Sequence, residues 1–273
     1  MTQLSQPDNP KTALITGAGK RIGAHLARAL AKDGWAVALH YSQSAQAANA
    51  LAAEIEQIKG HGGVFPLQAD LADATAVAQM IDRASKKLGA ISALINNASL
   101  FEHDTPENFT IESWNAHLNI NLRAPALLMR DFANQPHWQP HWRKANKENA
   151  QDGCIINLTD QRVMRLTPDF LSYTVSKYAL HGLTTSFAQA LADKHIRVNA
   201  IAPGPTLPNP RQSQAAFDKQ AGLVPLQHGA SLDDIARAVR YLLSAQSVTG
   251  QTLTVDGGQH IAWQTPDVTQ VEE

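Results

Sequence analysis

The chain has 273 residues, of which 44% are hydrophobic and 17% charged, so a sizeable core is expected and a wholly disordered chain is excluded. The formal net charge of −1 gives no basic field that would favour nucleic acid or anionic lipid. A single cysteine, Cys154, excludes an internal disulfide and any multi-cysteine metal site, and we expect no metal.

No apolar stretch approaches the roughly 20 residues that span a bilayer, and residues 1–10 lack the apolar core of a signal peptide. We therefore expect a cytoplasmic protein whose partners include neither nucleic acid nor membrane.

From Lys11 onward, short apolar runs alternate with longer amphipathic stretches. The runs predict strands at Thr12–Thr16, Trp35–His40, Gly63–Leu67, Ser92–Asn96, Cys154–Thr159, Arg197–Ile201 and Thr252–Val255. The stretches predict helices at Ile22–Lys32, Ala45–Lys59, Ala74–Leu88, Ser113–Phe132 and Ser172–Asp193. Such alternation predicts a single α/β domain over residues 11–263, a Rossmann-type, doubly wound parallel sheet of about seven strands with helices on both faces.

Two segments do not fit the alternation. Residues 134–152 are polar and long for a connection, which predicts a loop insertion. Residues 203–226 follow a predicted strand and contain several prolines, and a long loop at that end of a parallel sheet commonly covers a ligand crevice. We expect residues 1–10 to be a flexible N-terminus and residues 264–273 a C-terminal tail.

A glycine-rich turn, Thr16 to Gly23 (TGAGKRIG), follows the first predicted strand and opens the first predicted helix. Small residues let the backbone approach a pyrophosphate, and the helix N-terminus supplies unpaired N–H groups. In this context the turn predicts a dinucleotide site. The alternative is a tight strand-to-helix turn without a ligand.

The second predicted strand indicates which dinucleotide binds. A site for NAD usually has a carboxylate about 20 residues beyond the glycines, and this chain has no acidic residue between Asp33 and Glu54. Donors and positive charge are offered instead by Lys20, Arg21, His40 and Ser42. They suit a 2′-phosphate, so the sequence predicts NADPH over NADH.

Tyr173 and Lys177 are four residues apart in a helical pattern and share one face. An ammonium near a phenol lowers the pKa of the phenol and lets it exchange protons with a substrate. The alternative is an ordinary solvated pair.

Several motifs follow predicted strands, which places them at the sheet edge where ligands bind. They are the glycine turn, Asn96–Phe101, Asp160 and Pro203–Thr206.

Together these motifs resemble the short-chain dehydrogenase/reductase family over most of the chain. The matching residues are the TGAGKRIG turn, Asp70-Leu71, Asn96-Asn97-Ala98-Ser99, Asn121, Tyr173-x-x-x-Lys177, Arg197-Val198-Asn199, Pro203-Gly204 and Asp256-Gly257-Gly258.

The resemblance implies a role for each of several residues. Tyr173 would be the acid–base, Lys177 would bind the nicotinamide ribose, and Asn121, with Asn119 as a rival, would hold a relay water. Asp70 would face adenine and Asn97 would line the cofactor. The remaining cofactor contacts implied are Gly17, Lys20, Arg21, Ile22, His40, Tyr41, Ser42, Leu71, Ala98, Ser99, Thr159, Pro203, Gly204 and Thr206. The resemblance also implies a homo-oligomer, a tetramer or a dimer.

The chain departs from the family at Asp160, thirteen residues before Tyr173, where most members have serine. An ionised aspartate cannot donate a hydrogen bond to a carbonyl oxygen and opposes the charge of an alkoxide. It suits a C=N bond whose nitrogen must gain a proton, in a heterocycle with N–H donors. The alternative is that Thr159 takes the role of the serine and Asp160 lies outside the reaction.

The departures resemble the pteridine reductase branch of the family. The matching residues are Arg21, His40-Tyr41, Asn97-Ala98-Ser99 and Phe101. By this likeness Phe101 would stack on a pterin, Ser99 and Arg21 would contact it, and Asp160 and Tyr173 would relay the proton. The alternative for Phe101 is a buried aromatic residue of the core, without a role in binding. Arg162 and Arg165 are read either as contacts to a substrate carboxylate or as solvated loop residues.

Three functions follow. The first is an NADPH-dependent reductase of pterin-like or other C=N substrates. The second is a carbonyl reductase or alcohol dehydrogenase that uses Thr159. The third is a non-catalytic regulator that binds NADP, against which the set of Tyr173, Lys177 and Asn121 argues.

Overall fold

The computed structural model describes residues 11–136, 138, 152–209 and 211–263. The strands are β1 (Thr12–Ile15), β2 (Ala36–Tyr41), β3 (Val64–Gln68), β4 (Ala93–Asn96), β5 (Gly153–Leu158), β6 (Ile196–Pro203) and β7 (Thr252–Val255). The helices are α1 (Arg21–Lys32), α2 (Ala45–Glu56), α3 (Ala74–Ala78), α4 (Met80–Leu88), α5 (Ile111–Leu118), α6 (Ala124–Ala133), α7 (Leu171–Ala190), α8 (Gln214–Gly222) and α9 (Leu232–Ser244). Within these ranges, no helix combines the length and apolar character that crossing a bilayer requires.

All seven strands form one parallel sheet in the order β3-β2-β1-β4-β5-β6-β7. The predicted fold class is confirmed. Ile15 at the end of β1 pairs with Leu39 of β2 on one side and with Ile95 of β4 on the other. The chain order reverses at β1, and this reversal opens the crevice in which doubly wound sheets bind ligands.

Strand residues alternate between two apolar layers, because successive side chains point to opposite faces of a sheet. Ile15, Ile95 and Ile156 pack with α1, α2 and α9. Leu14 and Leu94, one residue earlier in their strands, pack with α4, α6 and α7. The described helices therefore cover both faces of the sheet, and folds of this kind bind ligands at the carboxyl edge of the strands.

The predicted helix Ser113–Phe132 is interrupted by a π-helical turn at Asn119–Arg123 between α5 and α6. Pro125 explains the interruption, since it has no N–H to donate to the carbonyl of Asn121 four residues earlier. The N–H of Ala124 instead reaches the carbonyl of Asn119, five residues back. The turn lies beside the predicted catalytic residues.

The predicted helix Ala74–Leu88 is likewise divided, into α3 and α4. At Gln79 the N–H bonds to the carbonyl of Ala76, a tighter pattern than that of an α-helix. The predicted N-terminus 1–10, the tail 264–273 and most of the insertion 134–152 lie outside the described residues, and the domain boundaries stay predictions.

Candidate active site

The glycine turn connects β1 to α1 and packs directly against the end of β4. Gly17 has a φ of +65°, and a Cβ there would lie 3.0 Å from the Cα of Ala98. Thr16 Oγ1 accepts the N–H groups of Asn97 and Ala98 at 2.9 Å, and the Asn97 amide donates to the Thr16 carbonyl at 2.8 Å. Only glycine combines this conformation with this close approach.

His40 has a role that differs from the prediction. Its ring is 1% exposed, its Nδ1 accepts the Gly17 N–H at 3.0 Å, and its Nε2 donates to the Ala69 carbonyl at 3.2 Å. Burial lowers the pKa of His40 to about 4. The expectation of a charged donor to a phosphate is therefore wrong for His40, which as a neutral imidazole stabilises the glycine turn.

Tyr173 and Asp160 are in direct contact. Asp160 follows β5, Tyr173 lies in the first turn of α7, and the Tyr173 hydroxyl donates to Asp160 Oδ2 at 2.7 Å. Asp160 Oδ1 accepts the backbone N–H of Arg162 at 2.9 Å, which orients the carboxylate. Asp160 thus lies within hydrogen-bond reach of the predicted acid–base.

Lys177 does not lower the pKa of Tyr173 in this structure, which corrects the sequence prediction. The Lys177 ammonium donates to the Leu158 carbonyl at 2.7 Å and is 5.8 Å from the centre of the Tyr173 ring. Burial and the negative charge of Asp160 raise the pKa of Tyr173 well above 10. Burial also lowers the pKa of Lys177 to about 8. The phenol therefore keeps its proton at neutral pH.

Asn121 lies in the π-helical turn and is fully buried. Its amide donates to the Leu100 carbonyl at 2.9 Å and to Ser176 Oγ at 3.0 Å, and its oxygen accepts the Leu100 N–H at 2.8 Å. The side chain thereby joins the segment after β4 to α7. Asn119, the rival, is half-buried.

The Thr159 hydroxyl is engaged by the protein itself. It donates to the Ile201 carbonyl at 3.0 Å, and Thr159 is 4% exposed. Presenting this hydroxyl to a substrate would require breaking that bond to β6.

The predicted residues converge on one cavity of about 590 Å³ at the carboxyl edge of the sheet. Those that line it are Gly17, Lys20, Arg21, Ile22, Asn97, Ala98, Ser99, Phe101, Thr159, Asp160, Tyr173, Lys177, Pro203, Gly204 and Thr206. Those that do not are His40, Tyr41, Ser42, Asp70, Leu71 and Asn121. The cavity therefore brings the glycine turn, the Tyr173–Lys177 pair and Asp160 together.

Aromatic rings form one wall of the cavity. Phe101 stacks on Phe170 with ring centres 4.4 Å apart and an interplanar angle of 9°, and it meets Tyr173 edge-on at 4.7 Å. The guanidinium carbon of Arg162 is 5.8 Å from the Phe101 ring centre and 5.1 Å from that of Phe170. Phe101 is thus part of the site and not of the core.

Sequence reasoning missed several lining residues, namely Gln161, Phe170, Leu207, Phe217 and Gln259. Gln161 and Phe170 lie in the connection between the predicted strand Cys154–Thr159 and the predicted helix Ser172–Asp193. That connection leaves the carboxyl end of a strand, which is the signal that identifies it as part of a binding edge.

The segment 203–226 covers the cavity and is fastened at two points. Arg21 donates to the carbonyls of Pro208 and Leu207 at 2.7 and 3.4 Å. Arg211 pairs with Glu102 at 2.5 Å and donates to the Phe101 carbonyl at 3.2 Å. The covering segment is thereby tied to the glycine turn and to the aromatic wall.

A parallel sheet that carries a glycine-rich dinucleotide turn and a buried tyrosine–lysine pair is typical of short-chain oxidoreductases. Comparison of the chain with known protein families gives the same result. A family model described as enoyl-(acyl carrier protein) reductase matches residues 17–260. The chain belongs to the short-chain dehydrogenase/reductase family, which confirms the resemblance.

Similar proteins include some named dihydrofolate reductase and some named 3-oxoacyl-[acyl-carrier-protein] reductase. FolM alternative dihydrofolate reductase 1 from Brucella canis, crystallised with NADP, is 41% identical with a TM-score of 0.84, covering 95% of this chain and 97% of its own. The 3-oxoacyl-[acyl-carrier-protein] reductase of Synechocystis is 32% identical over 91% of this chain and 96% of its own. An uncharacterized oxidoreductase of Methylorubrum extorquens is 32% identical over 91% and 97%.

Proposed function

We propose that the protein is an NADPH-dependent reductase of a pterin-like or related C=N heterocycle. The observation that carries the proposal is the 2.7 Å hydrogen bond from the Tyr173 hydroxyl to Asp160 Oδ2. It puts a carboxylate beside the proton donor, where a carbonyl substrate would need a neutral hydroxyl. Homo-oligomeric assembly and a cytoplasmic location stay predictions.

The glycine turn and its surroundings fit NADP(H). Glycine at position 23 is required because a Cβ would lie 2.3 Å from the Gly17 carbonyl oxygen, and the N-terminus of α1 has no acidic residue in its first turn. Lys20 is exposed beside the turn, and Ser44 Oγ lies against Gly19. These groups favour a phosphate, and the Brucella relative was crystallised with NADP.

The residues around Tyr173 suit reduction of a C=N bond. NADPH, when bound, supplies a hydride to the carbon. The Tyr173 phenol, which keeps its proton at neutral pH, gives that proton to the nitrogen. The Asp160 carboxylate accepts an N–H of the heterocycle and holds the nitrogen toward the phenol, and Phe101 offers a ring face for a planar substrate.

Reduction of a carbonyl is the second candidate, and the Synechocystis relative favours it. Such a reaction needs a neutral donor for the developing alkoxide. Thr159 is the candidate donor, but its hydroxyl is engaged by Ile201. The geometry around Asp160 therefore supports the heterocyclic substrate over the carbonyl.

Replacing Asp160 tests the proposal. NADPH oxidation is measured with dihydrobiopterin, dihydrofolate and an acetoacetyl thioester for the wild type, Asp160→Asn and Asp160→Ser. We expect the wild type to reduce the pterins and to prefer NADPH over NADH. Both variants should lose about 100-fold or more in kcat on pterins, while Asp160→Ser gains activity on the thioester. Thioester reduction by the wild type without pterin reduction would establish the second candidate instead.

A further inference from the structure

Arg162 lines the cavity and has a hydrogen-bond donor that the described residues leave unused. Its Nε is buried and has no acceptor within the described part of the chain. Among the described residues, Asp160 alone has a carboxylate within 4 Å of the guanidinium, and the 3.6 Å from Arg162 Nη1 to Asp160 Oδ1 exceeds a hydrogen bond. A buried donor without an acceptor costs about 1–3 kcal/mol, so the described residues alone do not satisfy the Arg162 guanidinium.

The surroundings hold the guanidinium in place without using its edge. It lies against the rings of Phe101 and Phe170, which contact its face through their π-systems. The N–H groups project from the edge of the guanidinium plane, so stacking leaves them free. The side chain is 22% exposed, which leaves an opening for a substituent that extends from the cavity.

The other lining cations are engaged or lie elsewhere. Arg21 donates to two carbonyls of the covering segment, Lys177 donates to Leu158, and Lys20 belongs to the glycine turn. Among the cavity-lining cations of the described residues, Arg162 is therefore the one available beside the aromatic wall. Two parallel N–H groups at the edge of a guanidinium match the two oxygens of a carboxylate.

We propose that Arg162 binds a carboxylate carried by the planar substrate and makes the site selective for heterocycles with an acidic substituent. This inference rests on the proposed reductase function. Asp160 and Phe101 recognise the heterocycle itself, and Arg162 adds a second recognition point for its acidic substituent. Folate, with its glutamate tail, has such a carboxylate, whereas biopterin has a neutral side chain.

Arg162 has one competing role, which is to support Asp160 and the aromatic rings. That role would affect every planar substrate equally, since all of them use Asp160 and Phe101. Carboxylate binding affects only the acidic ligand. The ratio of the two affinities therefore separates the roles.

The experiment is calorimetric titration of folate and of biopterin into the NADP⁺-loaded enzyme. For Arg162→Gln we expect the Kd for folate to rise about tenfold or more, the size expected for a lost charged hydrogen bond, while the Kd for biopterin changes less than about twofold. Arg162→Lys, which keeps the charge without the fork, should fall between. Arg165→Gln is the matched control, because Arg165 bonds to the Ala262 carbonyl and lies outside the cavity lining.

Equal weakening of both ligands, or of neither, would overturn the inference. The same variants are assayed for NADPH oxidation with dihydrobiopterin. Turnover of dihydrobiopterin by the wild type with an unchanged folate-to-biopterin ratio in Arg162→Gln would reject the role of Arg162 and leave the proposed function standing. A wild type that neither binds nor reduces either pterin would reject both.

Discussion

His40 lies near the carboxyl end of β2, and its buried ring connects two segments of backbone. The Gly17 N–H must donate to Nδ1, so Nε2 carries the proton that reaches the Ala69 carbonyl. A second proton would have no acceptor and would place a charge in the interior, which is why the pKa falls to about 4. Both the neutral state and the hydrogen bonds follow from this geometry.

The stability of the protein should therefore depend on pH through His40. The unfolded chain takes up a proton near pH 6.5, whereas the folded ring resists protonation down to about pH 4. Stabilisation by neutral His40 is complete above pH 6.5 and decreases as the pH falls toward 4, by about 3 kcal/mol in all. In urea unfolding, the wild type should lose stability relative to His40→Asn by this amount between pH 7 and pH 4.

Two substitutions of His40 separate the effect of its protonation from the effect of its hydrogen bond with the Gly17 N–H. His40→Asn keeps an oxygen that can accept the Gly17 N–H, whereas His40→Ala does not. At pH 7 the alanine variant should therefore be less stable than the asparagine variant by about 1–2 kcal/mol. Neither variant titrates. A gap to the wild type that stays constant from pH 7 to pH 4 would contradict a buried neutral histidine.

At the level of elements, the start of α7 depends on a residue far away in sequence. Phe170, which precedes the helix, has a φ of +59°, and its side chain caps no N–H of the helix in the described structure. Asp104, 3% exposed, supplies the cap: its Oδ1 accepts the Ser172 N–H at 3.0 Å and its carbonyl accepts that of Leu171 at 3.2 Å. The carboxylate also lies at the positive end of the helix dipole. Tyr173 follows directly, so Asp104 is a positioning residue.

Removing this cap should affect both stability and turnover. Asp104→Ala should lower the free energy of unfolding by about 2 kcal/mol and reduce kcat several-fold, because Tyr173 loses its fixed distance to Asp160. Asp104→Asn keeps an acceptor and should lose about half as much stability. Asp73→Ala is the control, since Asp73 caps α3 through the Thr75 N–H at 2.8 Å and does not line the cavity. It should lose stability without loss of kcat, and a similar loss of kcat in both variants would refute positioning by Asp104.

The strands and helices could be predicted because the hydrophobic periodicity of each one lies within its own short stretch of sequence. The seven strands, the glycine turn and the Tyr173–Lys177 spacing were all readable in this way. The cap from Asp104 and the bond from Gly17 to His40 were not, since they join segments that are distant in sequence. The π-helical turn was also missed, since the helix Ser113–Phe132 was predicted without interruption although it contains Pro125. The pKa of Tyr173 was mispredicted because burial and Asp160 outweigh an ammonium that bonds elsewhere.

Over the whole molecule, two surface arginines tie the segment 203–226 across the cavity. The Glu102–Arg211 pair is exposed, with side-chain exposures of 52% and 60%, and exposed pairs contribute about 0–1 kcal/mol to stability. The pair nevertheless spans the cavity mouth, from the segment that carries Phe101 to the covering segment. Its effect should therefore appear in the opening of the cavity and scarcely in global unfolding.

Glu102→Gln tests whether the pair controls opening of the cavity and contributes little to global stability. The free energy of unfolding from urea titration should stay within about 0.5 kcal/mol of the wild-type value. Limited proteolysis within residues 203–226 should accelerate, and KM for the heterocycle should rise several-fold, since a looser cover admits water and releases substrate. Added salt should raise KM in the wild type and much less in the variant, because screening weakens only a charged pair. Glu54→Gln is the matched control: it breaks the exposed Arg28–Glu54 pair between α1 and α2, which measures 2.7 Å, and it should leave proteolysis and KM unchanged. If both variants behave alike, the pair at the mouth is ordinary surface charge and the segment is held by its packing and by Arg21.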